Sequence, residues 1–447
     1  MNQDARSRRG AGKGSGMPAW MLALAPLALS ACAATIPPAP IAAAPRAAAQ
    51  DEARAPVTIL VSIDGFRADY LDRGVTPNLN ALAAKGVHAA MRPSYPSKTF
   101  PNHWTLVTGL RPDRSGIVAN TMEDSQRPGE TFTMETDDPF WWNGSEPLWV
   151  TAEKAGIRTA TMFWPGSNVA VGGVRAKDWP HDISGGTRPE DWQQFNMAVN
   201  NSQRVNAVLD WVRRPAAIRP KFVTLYFDTI DTAGHTYGPG DPRTTAAVAD
   251  IDRTIGDLVQ GLDAMRQPAN LVIVADHGMA EVSKDRTVAL DQLANPADYR
   301  VVEASTFASL AAVPGHEAAL EAALLKPHDH ITCWRKADIP ARLHYGTNPR
   351  IPPYFCMMET GWLAVKSAGA KISDHGNHGY DNAAPEMAAL FVASGPAFRA
   401  GGTLPGFDNV DVAPLVRDLL GLPPGTGLDG DDAPFRSVLR PAQSHPD

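Results

Sequence analysis

Three apolar runs in this 447-residue chain end in acidic or histidine-bearing turns. Ile63 is followed by Asp64, Phe227 by Asp228, Asp231 and His235, and Ala275 by Asp276 and His277. A further candidate, His378, stands in DHGNHGYDN, with His375 three residues before it. Carboxylates and neutral imidazoles are the ligands zinc accepts, at about 2.0–2.2 Å. One aspartate after one strand means little, because aspartate often caps or turns a chain. Three such clusters with two histidines are harder to explain as caps. Asp231 and His235 are four apart with Gly234 between them, a spacing that lets both reach one ion.

A nucleophile candidate lies in YPSKTFPNHWTLVTG, residues 95–109. Thr99 precedes Phe100-Pro101, and an apolar helical pattern follows. Threonine is a good N-cap and proline is favoured in a first helical turn, so Thr99 has a purely structural reading. The alternative places its hydroxyl at a helix N-terminus beside a dication, where alkoxide and phosphate are both favoured. Composition alone does not choose between them.

These groups need a frame. Residues 57–63, 158–163, 221–227 and 270–275 are short, nearly continuous apolar runs rich in β-branched side chains, as two-sided burial demands. Helical patterns at 205–211 and 244–265 separate them, the latter with Ile251, Ile255, Leu258 and Leu262 in step. The alternation predicts an α/β fold: a doubly wound, mostly parallel sheet with helices on both faces. In such sheets ligands bind beyond the carboxyl ends of the strands, so the three clusters should converge. Residues 285–375 break the rhythm and read as a smaller inserted cap subdomain before a last core strand near 387–393. Residues 123–147, polar and tryptophan-containing, read as a long loop at the site mouth.

The composition is that of a globular protein, 44% hydrophobic and 20% charged. A net charge of -7 argues against a polymeric nucleic-acid partner, which calls for a basic excess. The first residues differ: basic at 6–13, apolar at 17–31, then Cys32. That is a secretory signal, too short to span a membrane comfortably. Leu29-Ser30-Ala31-Cys32 resembles a bacterial lipobox, which implies a lipid anchor on Cys32, an Ala/Pro-rich tether over 33–55, and a catalytic domain over 56–445 in the periplasm or at the outer membrane. Ordinary cleavage after the alanines at 47–49 is the other reading. Cys333 and Cys356 either pair, as leftover cysteines in an oxidising compartment often do, or remain buried thiols.

Seven segments, in order, resemble the nucleotide pyrophosphatase/phosphodiesterase branch of the alkaline phosphatase superfamily. They are SIDGFRADY (62–70), TPNLNALAAKGV (76–87), YPSKTFPNHWTLVTGLRPDRSGIVAN (95–120), FWPGS (163–167), DTAGHTYGP (231–239), ADHGM (275–279) and HGYDN (378–382). The resemblance implies an alkaline phosphatase-like fold with two zinc ions (two Zn2+) and Thr99 as the nucleophile. It implies Asp64, Thr99, Asp276 and His277 around one zinc, and Asp231, His235 and His378 around the other. Asn120 matches the asparagine that holds a phosphoryl oxygen. The match selects Asp231 over Asp228 and His378 over His375. Ile230 departs from the proline many members carry there. The expected substrate is a small phosphodiester or nucleotide, attacked in line through a phospho-threonine intermediate. A sulfatase C/S-x-P-x-R motif is absent, since Thr99 is followed by FPNH. A phosphomonoesterase on the same site, a choline-phospholipid phosphodiesterase, and a non-catalytic binding lipoprotein are the rival readings. The uncharged segment 163–173 suits a diester better than a monoester. Trp141, Trp142, Trp164 and Tyr237 either stack on a base or pack in the core.

Overall fold

The computed structural model describes residues 54–176 and 183–441. The apolar segment, Cys32 and nearly all of the Ala/Pro-rich stretch lie outside the described residues. Along the chain come β1 (Val57–Ile63), β2 (Val87–Arg92), β3 (Thr159–Met162), β4 (Asp191–Gln193), β5 (Phe222–Phe227) and β6 (Ala269–Val274). Then follow β7 (Tyr299–Ala304), β8 (Phe307–Ala312), β9 (Ile331–Arg335) and β10 (Tyr354–Met358), and lastly β11 (Ala389–Ser394), β12 (Gly402–Thr403) and β13 (Phe407–Asp408).

The central sheet runs β12-β2-β11-β6-β1-β5-β3-β4, with β13 also on β2. β1 is parallel to both β5 and β6, and β3 is parallel to β5 and β4. The sheet is mixed, because β11 runs against both β6 and β2. The physical reason lies in the route of the chain. It passes His378 at the carboxyl end of the parallel strands and enters β11 from there, so this strand must run away from the site.

Every residue of β1 and β5 is buried, which requires cover on both faces. The helices supply it in two groups. α1 (Pro77–Lys85), α4 (Asn201–Arg213), α5 (Thr229–Tyr237) and α6 (Pro242–Ala264) pack together. α2 (Thr99–Thr108), α3 (Leu148–Lys154) and α8 (Val412–Leu419) form the other group. A fully buried valine, leucine or isoleucine is worth about 1.5–3 kcal/mol. Sliding β1 by one residue would displace Val57, Ile59, Leu60, Val61 and Ile63 together, so the core fixes where Asp64 emerges.

Within 285–375, β7-β8-β10-β9 make a four-stranded antiparallel sheet beside the helix α7 (Glu317–Leu324), over a second hydrophobic cluster that includes Leu310, Leu320 and Cys356. Cys333 and Cys356 face each other across β9 and β10 and form a disulfide. Residues 123–147 are less loop-like than their composition suggests. They hold a short hairpin, Met122–Glu123 with Thr131–Phe132, and a helical turn, Pro139–Trp142.

Candidate active site

Thr99 is the first residue of α2 rather than its cap. The capping position is Lys98, which makes no side-chain cap bond. The Thr99 hydroxyl is therefore not spent on the helix, and Oγ1 lies 3.3 Å from His277 Nε2. Asp64 follows β1, Asp231 and His235 lie on α5 after β5, and Asp276 and His277 follow β6. These are the three central, mutually parallel strands, so their carboxyl ends open on one edge. His378 reaches the same place from the segment ahead of β11.

His277 Nε2 is 3.5 Å from Asp64 Oδ1 and 2.9 Å from Asp276 Oδ2. His235 Nε2 and His378 Nε2 are each 3.5 Å from Asp231 Oδ1. The rings of His277 and His378 stack with centroids 3.5 Å apart, which joins the two groups. Two sets have ligand atoms mutually within 4.8 Å: Asp64, Asp276 and His277, and Asp231, His277 and His378. Asp228 lines the same cavity but its carboxylate is paired with Arg204 at 2.6 Å, and His375 contributes its backbone, donating N–H to the His235 carbonyl.

The donor set fits cations. Asp64 Oδ1, Asp231 Oδ1 and Asp276 Oδ2 are buried without a hydrogen-bond donor. The facing nitrogens do not supply one. His277 Nδ1 donates to the Gly278 carbonyl at 2.9 Å and His378 Nδ1 to the Ser97 carbonyl at 3.0 Å. That tautomer leaves each Nε2 as a bare lone pair aimed at a carboxylate. Lone pairs 2.9–3.5 Å apart with no proton between them repel unless a cation sits among them. The buried carboxyls are crowded by like charge. Burial, then Asp276 and Asp231, push the Asp64 carboxyl well above its usual range. Burial also raises Asp231, burial and His277 hold the His378 imidazole well below its usual value, and His235 is raised, its burial outweighed by Asp231 and Asp374.

Further residues hold these groups from behind, and sequence reasoning did not find them. The Tyr226 hydroxyl donates to Asp64 Oδ2 at 2.7 Å. His103 Nδ1 is 2.9 Å from the Thr99 carbonyl and 3.3 Å from Asp276 Oδ2, and its Nε2 is 2.8 Å from Ser62 Oγ. Asp374 Oδ2 is 3.6 Å from His235 Nδ1. Lys98 is buried beside the site, its Nζ 5.9 Å from the centre of the Phe307 ring on β8. His103 did leave a signal, standing one helical turn after Thr99.

Asn120 Oδ1 accepts from the Phe100 N–H at 3.0 Å, which orients its amide NH2 as a donor. Asn120, Thr99 and Asp64 open on a cavity of about 800 Å³. Its walls include Phe100, Trp142, Phe163, Trp164 and Phe195, and the 123–147 segment contributes Met134, Glu135 and Thr136. Trp141 is buried outside this lining, and Tyr237 lies under the Arg243 guanidinium at 3.9 Å.

The sequence matches the family described as type I phosphodiesterase / nucleotide pyrophosphatase over residues 58–381. It is 36% identical over 391 residues to ectonucleotide pyrophosphatase/phosphodiesterase family member 3 of Bos taurus, covering 83% of this chain and 42% of that protein. The chain thus spans less than half of that relative. It is 35% identical over 371 residues to a bis(5'-adenosyl)-triphosphatase of Xenopus laevis, covering 82% of this chain and 78% of that one. Among solved structures, murine ectonucleotide pyrophosphatase/phosphodiesterase 5, in an inactive form with alanine replacing a threonine and in complex with AMP, superposes with a TM-score of 0.79. That match has 31% identity and covers 86% of this chain and all of that one.

Proposed function

The chain belongs to the type I phosphodiesterase / nucleotide pyrophosphatase family, and we propose that it hydrolyses phosphodiesters or nucleotide pyrophosphates with Thr99 as nucleophile and two zinc ions as cofactors. The observation that carries this reading is the set of donor-less carboxylate oxygens and bare imidazole nitrogens gathered around the Thr99 hydroxyl. Asp64, Asp276, His277 and Thr99 would hold one ion, and Asp231, His235 and His378 the other. When bound, such ions lower the pKa of a hydroxyl and neutralise phosphoryl oxygens.

The chain's own residues account for the rest. Thr99 Oγ1 lies 3.3 Å from His277 Nε2, so the hydroxyl oxygen sits among the proposed ligand atoms at the cavity floor, where an ion they hold would favour loss of its proton to water. Thr99 Oγ1 attacks phosphorus, the bond to the leaving oxygen breaks, and a phospho-threonine results; attack of water on that phosphorus regenerates the hydroxyl. Asn120 donates to an equatorial oxygen as charge develops on it. The murine relative made inactive by a threonine-to-alanine change supports the nucleophile assignment. Phe163, Trp164 and Pro165 give the cavity an apolar, uncharged wall, which favours a diester over a doubly charged monoester.

Thr99→Ala should abolish turnover while metal content and melting temperature stay near wild type, and mass spectrometry of quenched wild-type enzyme should find phosphate on Thr99. Full activity in Thr99→Ala would end the mechanism. Higher kcat/KM on p-nitrophenyl phosphate than on bis-p-nitrophenyl phosphate would favour the monoesterase.

A further inference from the structure

Asn120 stands on a stretch of chain with no ladder of its own. No helix or strand covers 116–121, and among the described residues 117–121 make no backbone–backbone hydrogen bond. Backbone groups left out of regular structure need partners elsewhere. Residues 345–350, in the insertion between β9 and β10, supply them. Arg350 donates to the Gly116 carbonyl at 2.7 Å and to the Asp124 carboxylate at 2.8 Å, one on each side of Asn120. Asp113, just ahead, accepts from the Thr347 N–H at 2.9 Å and the Asn348 N–H at 2.8 Å. The contact nearest to Asn120 in sequence is made by Tyr345, whose hydroxyl donates to the buried Val118 carbonyl at 3.1 Å.

Tyr345 also meets the segment that carries the nucleophile. Its ring stands edge-on to Tyr95, with centroids 5.5 Å apart, and Tyr95 opens the run that leads to Thr99. Phe355 of β10 holds the same ring from the insertion's own sheet, at 5.3 Å. One buried side chain thus touches the approach to Thr99 and the approach to Asn120. The Asn120 amide is tied at its tip by the Phe100 N–H, and the Val118 carbonyl is the anchor for its backbone. A donor helps the reaction only where the charged oxygen will lie, and a misplacement of about 1 Å can cost about 100-fold. We propose that Tyr345 is a positioning residue, which through the Val118 carbonyl and the Tyr95 ring fixes Asn120 at its working distance from Thr99. The insertion is then part of the catalytic apparatus and not only a cover. The proposal rests on the hydrolase reading above.

The test measures kcat and KM on bis-p-nitrophenyl phosphate for the zinc-loaded full chain and for Tyr345→Phe, which keeps the ring and loses the hydroxyl. Removing such a donor outright costs about 100–1,000-fold in kcat, so Asn120→Ala sets the ceiling. Tyr345→Phe should lower kcat about tenfold, with KM within about twofold and zinc content as in wild type. In the Asn120→Ala background the same change should cost less than about twofold, because the group it positions is gone. Hydrogen exchange adds a readout that needs no turnover. Amides at 117–121 should exchange at least about fivefold faster in Tyr345→Phe, while those at 57–63 stay as protected as in wild type. Wild-type kcat in Tyr345→Phe, the same tenfold loss with and without Asn120, or unchanged exchange at 117–121 would overturn the proposal. A wild type that hydrolyses no diester would instead sink the hydrolase reading, and exchange at 117–121 would still decide whether Tyr345 holds Asn120.

Discussion

The Tyr226 hydroxyl donates to one Asp64 oxygen and leaves the other facing His277, so Tyr226 sets the direction of a proposed ligand. Partners of this kind typically contribute 10–100-fold in metal affinity or activity. Tyr226→Phe keeps the buried ring and should weaken metal binding on the Asp64 side, or turnover, by about that factor, while stability falls by only about 1 kcal/mol. Metal titration beside thermal unfolding checks it; unchanged metal affinity and kcat would show that Tyr226 is mere packing. Chelation should inactivate the enzyme and lower its melting temperature, and zinc should restore both. An ion that binds only the folded state at 1,000 times its Kd adds about 4 kcal/mol. An active enzyme free of transition metal would refute the ligand set. The proposed ligands could be named from the sequence because each follows an apolar run or sits in a Gly-rich motif. Tyr226 was not: it is one residue inside β5, and its partner lies 162 residues away. Asp374 was hidden in the same way, since only folding brings it to His235.

At the scale of elements, the turn after β1 decides whether Asp64 and α5 can share a site. Gly65 has φ 68°, and a Cβ there would lie 3.0 Å from the Asp231 backbone and 3.2 Å from Asp231 Oδ1. Left-handed backbone costs a non-glycine residue roughly 1–2 kcal/mol, and the contact adds displacement of a ligand. Gly65→Ala should therefore lower stability by about 1–3 kcal/mol and weaken metal binding at Asp231 more than at Asp276. Differential metal content and chemical denaturation measure the two effects; a stable variant with both ions at wild-type affinity would contradict the reading. The strands around this turn were legible because two-sided burial writes continuous apolar runs: 57–63 and 221–227 became Val57–Ile63 and Phe222–Phe227. The direction of β11 was not, since an apolar run looks the same whichever way it is threaded. Nor was β4, whose exposed edge sequence Asp191-Trp192-Gln193 carries no burial pattern.

At the scale of the whole molecule, we propose export from the cytoplasm, a reading that the Cys333–Cys356 disulfide and the first residues of the chain both favour. Disulfides form and persist where the surroundings are oxidising, outside the cytoplasm. Joining residues 23 apart should contribute about 3 kcal/mol, so a Cys333→Ser/Cys356→Ser variant should unfold at lower denaturant than wild type. The basic and apolar stretches before Cys32 would supply the export route, and the lipobox-like Leu29-Ser30-Ala31-Cys32 a point of attachment. One acyl chain holds a protein to a membrane only marginally, whereas the two or three carried by a bacterial lipoprotein hold it firmly. The Ala/Pro-rich 33–55 would then space the catalytic domain from the surface, Ala33 after Cys32 suiting the outer membrane. Wild-type protein made in a bacterial host and labelled with a fatty-acid analogue should pellet with membranes and carry the label, and Cys32→Ser should lose it. The disulfide separates two ways of failing. Unlabelled, soluble protein cleaved beyond residue 32 with the disulfide formed would be an enzyme exported without an anchor. The same protein recovered from the cytoplasm with both thiols free would overturn export itself.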